Sequence, residues 1–174
     1  DQGAAQEDPF AAGMAELLDG LAQLAASTSK PPVLSQVSLH EVVADAAGQV
    51  EAEHRGQLRT QLKPLPDVVG DPHWVREVFV ELLRNASRFG QSQDGQAEVT
   101  VSALMADDDQ RVKVFIEDAG AGLSAPDLKV ARRAFKVFHP NSGGGMGLAL
   151  CTRWMNTQGG RIRLLAGRKG GCIV

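Results

Sequence analysis

The stretch Glu81-Leu-Leu-Arg-Asn-Ala-Ser-Arg-Phe89 determines how the rest of the chain is interpreted. Glu81 and Asn85 lie four residues apart, so a helix here places both on one face. Two glycine-rich stretches follow in order, Asp118-Ala-Gly-Ala-Gly122 and Gly143-Gly-Gly-Met-Gly147. An amide oxygen can bind a metal, a carboxylate beside glycines can bind a base edge, and a glycine-rich loop before a helix can bind phosphates. Together the three stretches predict a nucleotide site.

Length and composition restrict the class of protein. The 174 residues, 43% of them hydrophobic, suffice for one compact domain and an additional segment. A net charge of −3 argues against a nucleic-acid partner, which needs a basic surface. The two cysteines do not make a disulfide framework, and a reducing cytoplasm fits them best. No apolar run approaches a membrane-spanning length, although the parent protein can still be membrane-associated. Because the chain starts without Met, we expect a fragment of a longer protein.

Residues 9–27 predict a helix whose apolar side chains recur at alternating steps of four and three. This spacing is typical of a coiled-coil seam, and the seam residues are Phe10, Met14, Leu17, Leu21 and Leu24. A helix packed on its own domain is the alternative, and the seam of a dimeric bundle is favoured. Serine and proline in residues 27–32 predict a linker.

The remaining periodicity predicts one domain. Helices are predicted at 38–54, 71–89, 125–134 and 146–158, and strands at 57–63, 97–104, 111–117, 161–166 and 171–174. Ser38 and Glu41 have the spacing of a capping box, and Pro72 suits the first turn of the second helix. Strands grouped with helices that must cover one face predict an α+β two-layer sandwich.

Each glycine stretch has an ordinary explanation when it is taken alone. Asp118–Gly122 can be a simple turn, and the glycines before Gly147 can be a flexible loop. Leu148 and Ala149 follow Gly147, whereas a Walker-type phosphate loop needs Lys and then Ser or Thr there. A dinucleotide-binding fold needs its glycines at the first strand-to-helix turn, far from this position. Both of those classes are therefore disfavoured.

The helix of the opening stretch offers ligands for a metal and for phosphate. Mg²⁺ prefers oxygen ligands and keeps several waters, so the Asn85 amide oxygen and nucleotide phosphates suffice. Arg88 can reach phosphate, and Phe89 can stack on a ring. For Asn85 alone a surface amide would be the better explanation, so the assignment depends on the two glycine stretches.

The ordered set of motifs resembles the Bergerat-type ATP-binding fold of histidine kinases, gyrase, the heat-shock chaperone and MutL. Residues 81–89 resemble the asparagine box, 118–122 the first glycine box, 135–138 the phenylalanine box and 143–148 the second glycine box. The phrases at 38–43 and 65–72 are similar to those of sensor histidine kinases, and 138–140 with 147–151 resembles the kinase modules of phytochrome-like soluble sensors.

This resemblance implies a mixed, mostly antiparallel sheet with helices on one face. It also implies that Asn85 binds Mg²⁺, that Asp118 binds the adenine amine and that Arg88 contacts phosphate. The residues implied in the ATP pocket and its lid are Phe89, Gly120, Gly122, Phe135, Phe138, Gly143, Gly145, Met146, Gly147 and Leu148. Arg132, Arg133 and Lys136 would lie near the base of the lid, or else form a solvated helix face.

Glu81 departs from the pattern of many sensor kinases, which carry a second Asn at this position. In gyrase-type ATPases and some kinase subfamilies a Glu there is a general base. Glu81 is therefore either a catalytic carboxylate that polarises water or the acceptor, or a solvent-facing helix residue. The lid is also short, since only residues 139–142 separate the phenylalanine box from the glycines.

His40-Glu41 resembles the His-Glu pair of a phosphoacceptor box, but it follows the Pro-Pro linker and falls inside the predicted first helix of the catalytic domain. We therefore reject His40 as the acceptor and expect the acceptor helix to be absent. Residues 1–32 resemble part of a dimerisation hairpin with its linker, and 33–174 resemble the catalytic ATP-binding domain.

The resemblance implies the ATP-binding catalytic domain of a cytoplasmic two-component sensor histidine kinase. Such a domain transfers the γ-phosphoryl group of ATP, with Mg²⁺, to a histidine on the dimerisation domain of the same protein. The implied partners are that domain, a response regulator and a second copy of the parent protein, and the fragment alone is expected to be inactive in autophosphorylation. The alternatives are a related ATPase in which Glu81 activates water, and a degenerate nucleotide-binding module.

Overall fold

The computed structural model describes residues 22, 31–54, 57–91, 95–106, 111–126, 128–129, 147–167 and 171–174. Its elements are β1 (Ser35–Ser38), α1 (Leu39–Glu53), β2 (Leu58–Leu62), β3 (Asp67–Gly70), α2 (Pro72–Phe89), β4 (Ala97–Met105), β5 (Val112–Asp118), α3 (Gly147–Thr157), β6 (Leu165–Ala166) and β7 (Cys172–Ile173). The predicted seam helix 9–27 lies outside the described residues except for residue 22, and so does the predicted helix 125–134 except for 125–126 and 128–129.

Among the described residues, five strands form the main sheet, in the order β2-β4-β5-β7-β6. β2 pairs with β4 in parallel, and the other three pairings are antiparallel. The longest pairing, β4 with β5, runs from Val99 opposite Asp118 to Met105 opposite Val112. This confirms the expected mixed, mostly antiparallel sheet and delivers Asp118 to the end of a central strand.

One face of the sheet and the helices share a single hydrophobic core. Along β4 the alternate residues Ala97, Val99 and Val101 are buried, whereas Glu98 is exposed. These side chains join the buried positions of the helices, which include Val43 and Val50 of α1, Val80 and Leu83 of α2, and Cys151 and Trp154 of α3. The α+β fold expected from the sequence is therefore confirmed.

The N-termini of α1 and α2 are both capped by side chains, and the Ser38 cap and the position of Pro72 confirm the sequence prediction. The Ser38 hydroxyl accepts a hydrogen bond from the Glu41 backbone N–H at 3.4 Å. Asp71 Oδ1 accepts bonds from the N–H groups of His73 and Trp74 at 3.0 and 3.2 Å, and Pro72 occupies the first turn. Each cap satisfies backbone donors that the helix itself cannot pair.

A small second sheet is absent from the sequence prediction. β1 and β3 pair antiparallel, with Ser35 opposite Gly70 and Ser38 opposite Asp67. Each strand has only four residues, too few for a clear alternation of apolar and polar residues in the sequence. The pairing joins the segments that lead into α1 and α2, which fixes the starts of both helices relative to each other.

The predicted strand 161–166 is too long. Only Leu165 and Ala166 are in a strand, opposite Ile173 and Cys172 of β7. Residues 161–164 alternate between exposed and more buried positions as a strand would, but they are not part of a strand. A strand forms only where a second strand pairs with it, and the alternation of one segment does not show where its partner begins and ends.

Candidate nucleotide site

Helix α2 is the element that positions the predicted site. Leu82, Leu83 and Ala86 are buried against the core. Glu81 and Asn85 are half-buried on another face, and Arg88 continues that face one turn further on, where it is exposed. The helix therefore holds its carboxylate, amide and guanidinium groups in one line from the middle of the helix to its C-terminal end.

Asn85 presents its amide oxygen. Its amide nitrogen donates a hydrogen bond to the Glu81 backbone carbonyl at 2.8 Å, which occupies the donor end of the side chain. Within the described ranges no group of three or more His, Cys, Asp or Glu side chains could hold a metal. A single protein oxygen fits Mg²⁺, which keeps water and phosphate oxygens as its other ligands. The donor set here therefore suits a metal that arrives with a nucleotide.

Asp118 lies where β5 ends, close to the end of α2. Its Oδ1 accepts a hydrogen bond from the Gly120 N–H at 3.0 Å, which fixes the turn that begins the first glycine stretch. A Cβ on Gly120 would lie 2.7 Å from the Cα of Gly90, the residue that ends α2. Gly122 adopts a φ of 76°, a conformation that favours glycine. The first glycine stretch is thus packed directly on α2.

Two further glycines surround Asp118, and the sequence analysis missed both. A Cβ on Gly90 would lie 2.7 Å from the Asp118 Cβ. Gly171 has a φ of 70°, and a Cβ there would collide with the Asp118 carbonyl oxygen. Gly90 follows the helix directly and could have been recognised as a helix stop signal. Gly171 lies 53 positions along the chain from Asp118, and only the β5–β7 pairing brings them together.

The second glycine stretch reaches α2 through Glu81. Gly147 is the first residue of α3, and a Cβ there would overlap Glu81 Oε2. Leu148 is half-buried and packs against the core. The structure therefore brings Glu81 to Gly147, at the start of the helix that follows the glycine-rich stretch of the sequence. The predicted residues Phe135, Phe138, Gly143, Gly145 and Met146 lie outside the described residues, as do Arg132, Arg133, Lys136 and His139.

Glu81 is held by a neighbouring arginine. Its Oε1 accepts a hydrogen bond from Arg84 Nη1 at 3.0 Å. Burial raises the pKa of the Glu81 carboxyl, and the charge and hydrogen bond of Arg84 act in the opposite direction. The same Arg84 hydrogen-bonds Glu53 of α1 and thereby lowers the pKa of Glu53 to about 2. Glu81 is thus neither a free surface carboxylate nor an unpaired buried one.

Arg88 and Phe89 lie at the exposed end of α2. The Arg88 guanidinium carbon is 5.7 Å from the centroid of the Phe89 ring, a cation–π distance. Phe89 is 66% exposed. A large apolar ring in water at the edge of the site is available to a planar ligand, and Arg88 is adjacent to it.

The described histidines do not cluster at the site. His40 is exposed in the first turn of α1, as the sequence analysis placed it. His54 ends the same helix, where its Nδ1 is 3.0 Å from the Val50 carbonyl oxygen. His73 is exposed in the first turn of α2, at the opposite end of that helix from Asn85. Helix capping and surface exposure explain these positions.

A family model described as histidine kinase-, DNA gyrase B- and HSP90-like ATPase matches residues 70–174. The adaptive-response sensory kinase SasA of Prochlorococcus marinus is 33% identical over 105 residues, which cover 56% of this chain and 26% of that protein. The C4-dicarboxylate transport sensor protein DctB of Pseudomonas aeruginosa is 27% identical over 173 residues, which cover 92% of this chain and 26% of that protein. The chain thus spans about a quarter of the length of these curated relatives.

The fold is also similar to solved structures. Full-length ShkA in complex with AMPPNP superimposes with a TM-score of 0.73 at 21% identity, covering 90% of this chain and 34% of that one. The predicted likeness to phytochrome-like sensors gains no support from these relatives. No helix among the described residues is long and apolar enough to cross a membrane.

Proposed function

The chain belongs to the family of histidine kinase-, DNA gyrase B- and HSP90-like ATPases, as an ATP-binding catalytic domain of the sensor histidine kinase type, and from that premise we propose the reaction and the residues that carry it. The domain binds ATP with Mg²⁺ and transfers the γ-phosphoryl group to a histidine on a dimerisation helix. The roles of individual residues given below are part of this proposal.

One observation carries the proposal: α2 contacts both glycine stretches. Gly90, which caps the C-terminus of α2, packs on Gly120 beside Asp118, and Glu81 of α2 abuts Gly147 at the start of α3. Asn85 lies between these two contacts on the same helix. A base-reading carboxylate, a metal-binding amide and the start of a phosphate-binding helix are thereby assembled around one element.

We assign adenine recognition to Asp118 and metal binding to Asn85. A carboxylate accepts a hydrogen bond from the exocyclic amine of adenine, whereas guanine presents a carbonyl oxygen at the corresponding position. When bound, Mg²⁺ would neutralise charge on the phosphates. Arg88 adds positive charge at the same end of α2, and Phe89 offers a face for stacking. The relative ShkA was solved with AMPPNP, an ATP analogue, which supports the choice of nucleotide.

The chemical step requires positioning more than covalent chemistry. A ring nitrogen of the acceptor histidine attacks the γ-phosphorus, the bond from that phosphorus to the β–γ bridging oxygen breaks, and ADP leaves with the electron pair. The acceptor ring loses its proton. We assign Glu81 to this proton, because a carboxylate that accepts a hydrogen bond from one ring N–H makes the other nitrogen a better nucleophile.

A second candidate function is hydrolysis of ATP. The position of Glu81 at the start of α3 would serve equally to polarise a water molecule, as in the gyrase-type branch of the family. The two functions share the nucleotide site and differ in the nucleophile. They are therefore separated by the fate of the phosphoryl group.

The organisation of the parent protein follows from the same proposal. Residues 1–32 are assigned to the second helix of a dimerisation hairpin with its linker, and 33–174 to the catalytic domain. The partners are the histidine-bearing dimerisation domain, a response regulator and a second copy of the parent protein, and the domain works in the cytoplasm. Without the acceptor helix this chain is expected not to phosphorylate itself.

The test supplies the acceptor separately. The chain, ATP and Mg²⁺ are incubated with a dimerisation hairpin that carries a histidine. The kinase proposal predicts phosphate on the hairpin that is labile in acid and stable in base, and none on a hairpin with that histidine replaced. Release of inorganic phosphate with no transfer supports the ATPase instead, and binding of ATP without either product supports a degenerate module.

A further inference from the structure

Arg84 lies between two carboxylates on different helices. Its Nε and Nη2 donate hydrogen bonds to Glu53 Oε2 and Oε1 of α1, at 2.9 and 2.8 Å. Its remaining terminal nitrogen, Nη1, donates to Glu81 Oε1 at 3.0 Å. All three nitrogens of one guanidinium group are therefore engaged, and the planar group is fixed in orientation.

The contact with Arg84 distinguishes the two oxygens of Glu81. Oε1 is bound to Arg84, whereas Oε2 is the oxygen that lies against Gly147. A glutamate side chain on a helix otherwise has several accessible rotamers, and holding one oxygen removes most of that freedom. Arg84 thus keeps the second oxygen directed at the start of α3.

We propose that Arg84 is a positioning residue for the reaction, which acts by orienting the Glu81 carboxylate toward the start of α3 and is itself oriented by Glu53. The inference rests on the proposed function, because it assumes that Glu81 participates in the chemical step. A positioning residue of this kind affects turnover and leaves nucleotide binding intact, since Arg84 touches neither Asn85 nor Asp118 among its described contacts.

A lysine would not replace the arginine. Two guanidinium nitrogens of Arg84 bind the Glu53 carboxylate, and the third nitrogen binds Glu81. A lysine ammonium is a single point charge, which cannot fix two carboxylates with one geometry.

Arg76 provides a matched control two turns earlier on α2. It also joins α1 to α2, with bonds to Asp45 at 2.6 Å, Gln49 at 2.6 Å and Glu77 at 3.0 Å. Its side chain is similarly exposed, 32% against 38% for Arg84. Arg76 has no described bond to Glu81. Replacing Arg76 therefore measures what an arginine between the two helices contributes to stability, without an effect on Glu81.

The experiment compares Arg84→Met and Arg76→Met, each with Glu81 intact and in the Glu81→Gln background. Phosphoryl transfer to a supplied hairpin and release of inorganic phosphate are both measured, with kcat and the KM for ATP separated, alongside thermal unfolding. Arg84→Met should lower kcat by about tenfold or more with little change in KM, because misplacing a catalytic group is costly. Arg76→Met should lower the unfolding temperature similarly and leave kcat nearly unchanged. In the Glu81→Gln background Arg84→Met should cost nothing further.

The outcomes separate this inference from the proposed function. If Glu81→Gln lowers kcat but Arg84→Met does not, Arg84 has no positioning role. If Arg84→Met lowers kcat equally with Glu81 intact and in the Glu81→Gln background, the positioning role is also overturned, because the effect would not depend on Glu81. If Glu81→Gln itself leaves kcat unchanged, the assignment of Glu81 under the proposed function is wrong, and the role of Arg84 is overturned with it.

Discussion

The proposed role of Asn85 as a metal ligand depends on the hydrogen bond that the other end of its amide makes. Because the amide nitrogen is bound to the Glu81 carbonyl, rotation of the amide would lose that bond and present a donor to the metal. Without this bond the side chain would be an ordinary surface amide, which is the better explanation when Asn85 is considered alone. The backbone of the preceding turn therefore determines which atom the site uses.

Replacing Asn85 tests the metal assignment. Asn85→Ala should remove the part of ATP affinity that depends on Mg²⁺, because the amide is the protein oxygen assigned to the metal. Titration of an ATP analogue with and without Mg²⁺ measures this directly. Asn156→Ala, at an exposed amide of α3, is the control and should behave as the unchanged chain. An Asn85→Ala protein whose affinity still rises normally with Mg²⁺ would rule the assignment out.

Asp118 determines base preference in the proposed site. Asp118→Asn should weaken the preference for adenine over guanine nucleotides by roughly 10- to 100-fold, since a hydrogen bond to a charged group contributes about 1.5–3 kcal/mol. Competition between ATP and GTP for the site measures the ratio. Glu117→Gln alters the neighbouring carboxylate of β5 and should leave the preference unchanged. Retained discrimination in Asp118→Asn would mean that another group reads the base.

At the scale of elements, the contact between α2 and α3 leaves no space for a Cβ at 147 unless the Glu81 carboxylate moves. Gly147→Ala should destabilise the fold or displace Glu81, because the added Cβ overlaps Glu81 Oε2. Gly48→Ala is the control: it lies within α1 with open space around it, and it should stabilise the protein by about 0.5–1 kcal/mol. Thermal or denaturant unfolding measures both.

A second substitution checks the cause of the Gly147 effect. Shortening the opposing side chain with Glu81→Ala should make Gly147→Ala much better tolerated, since the two atoms in conflict would no longer meet. Strongly additive losses in the double variant would show that the glycine is required for a different reason, such as the backbone of the preceding loop.

The contribution of the contact between α1 and α2 to stability depends on pH. Arg84 lowers the pKa of Glu53 from 4.5 to about 2 in the folded protein. The unfolded chain therefore binds the proton more readily, so Glu53 stabilises the fold above pH 4.5, and this contribution is lost as the pH falls toward 2. Glu53→Gln should flatten the fall in unfolding free energy over that range. Glu98→Gln, at an exposed position of β4, is the control and should leave this pH dependence of the unfolding free energy unchanged. If Glu53→Gln also leaves it unchanged, the ion pair between Glu53 and Arg84 is not its cause.

For the whole molecule, sequence patterns predicted the local features and missed the non-local ones. Ser38, Asp71 and Pro72 signal helix starts through their own chemistry, and the structure has both helices where expected. The β1–β3 sheet, the truncated strand at 165–166 and the proximity of Gly171 to Asp118 depend on partners distant along the chain. The role of Arg84 was likewise hidden, because Glu53 is 31 positions away.

In the proposed site, α2 joins three separate stretches of the chain into one nucleotide-binding surface. The most direct test is calorimetric titration of the chain with a non-hydrolysable ATP analogue, with and without Mg²⁺, and with the matching GTP analogue. We expect a single site per chain, with an affinity that Mg²⁺ increases and with a preference for adenine. Absence of binding, or binding that is indifferent to both the metal and the base, would contradict this expectation.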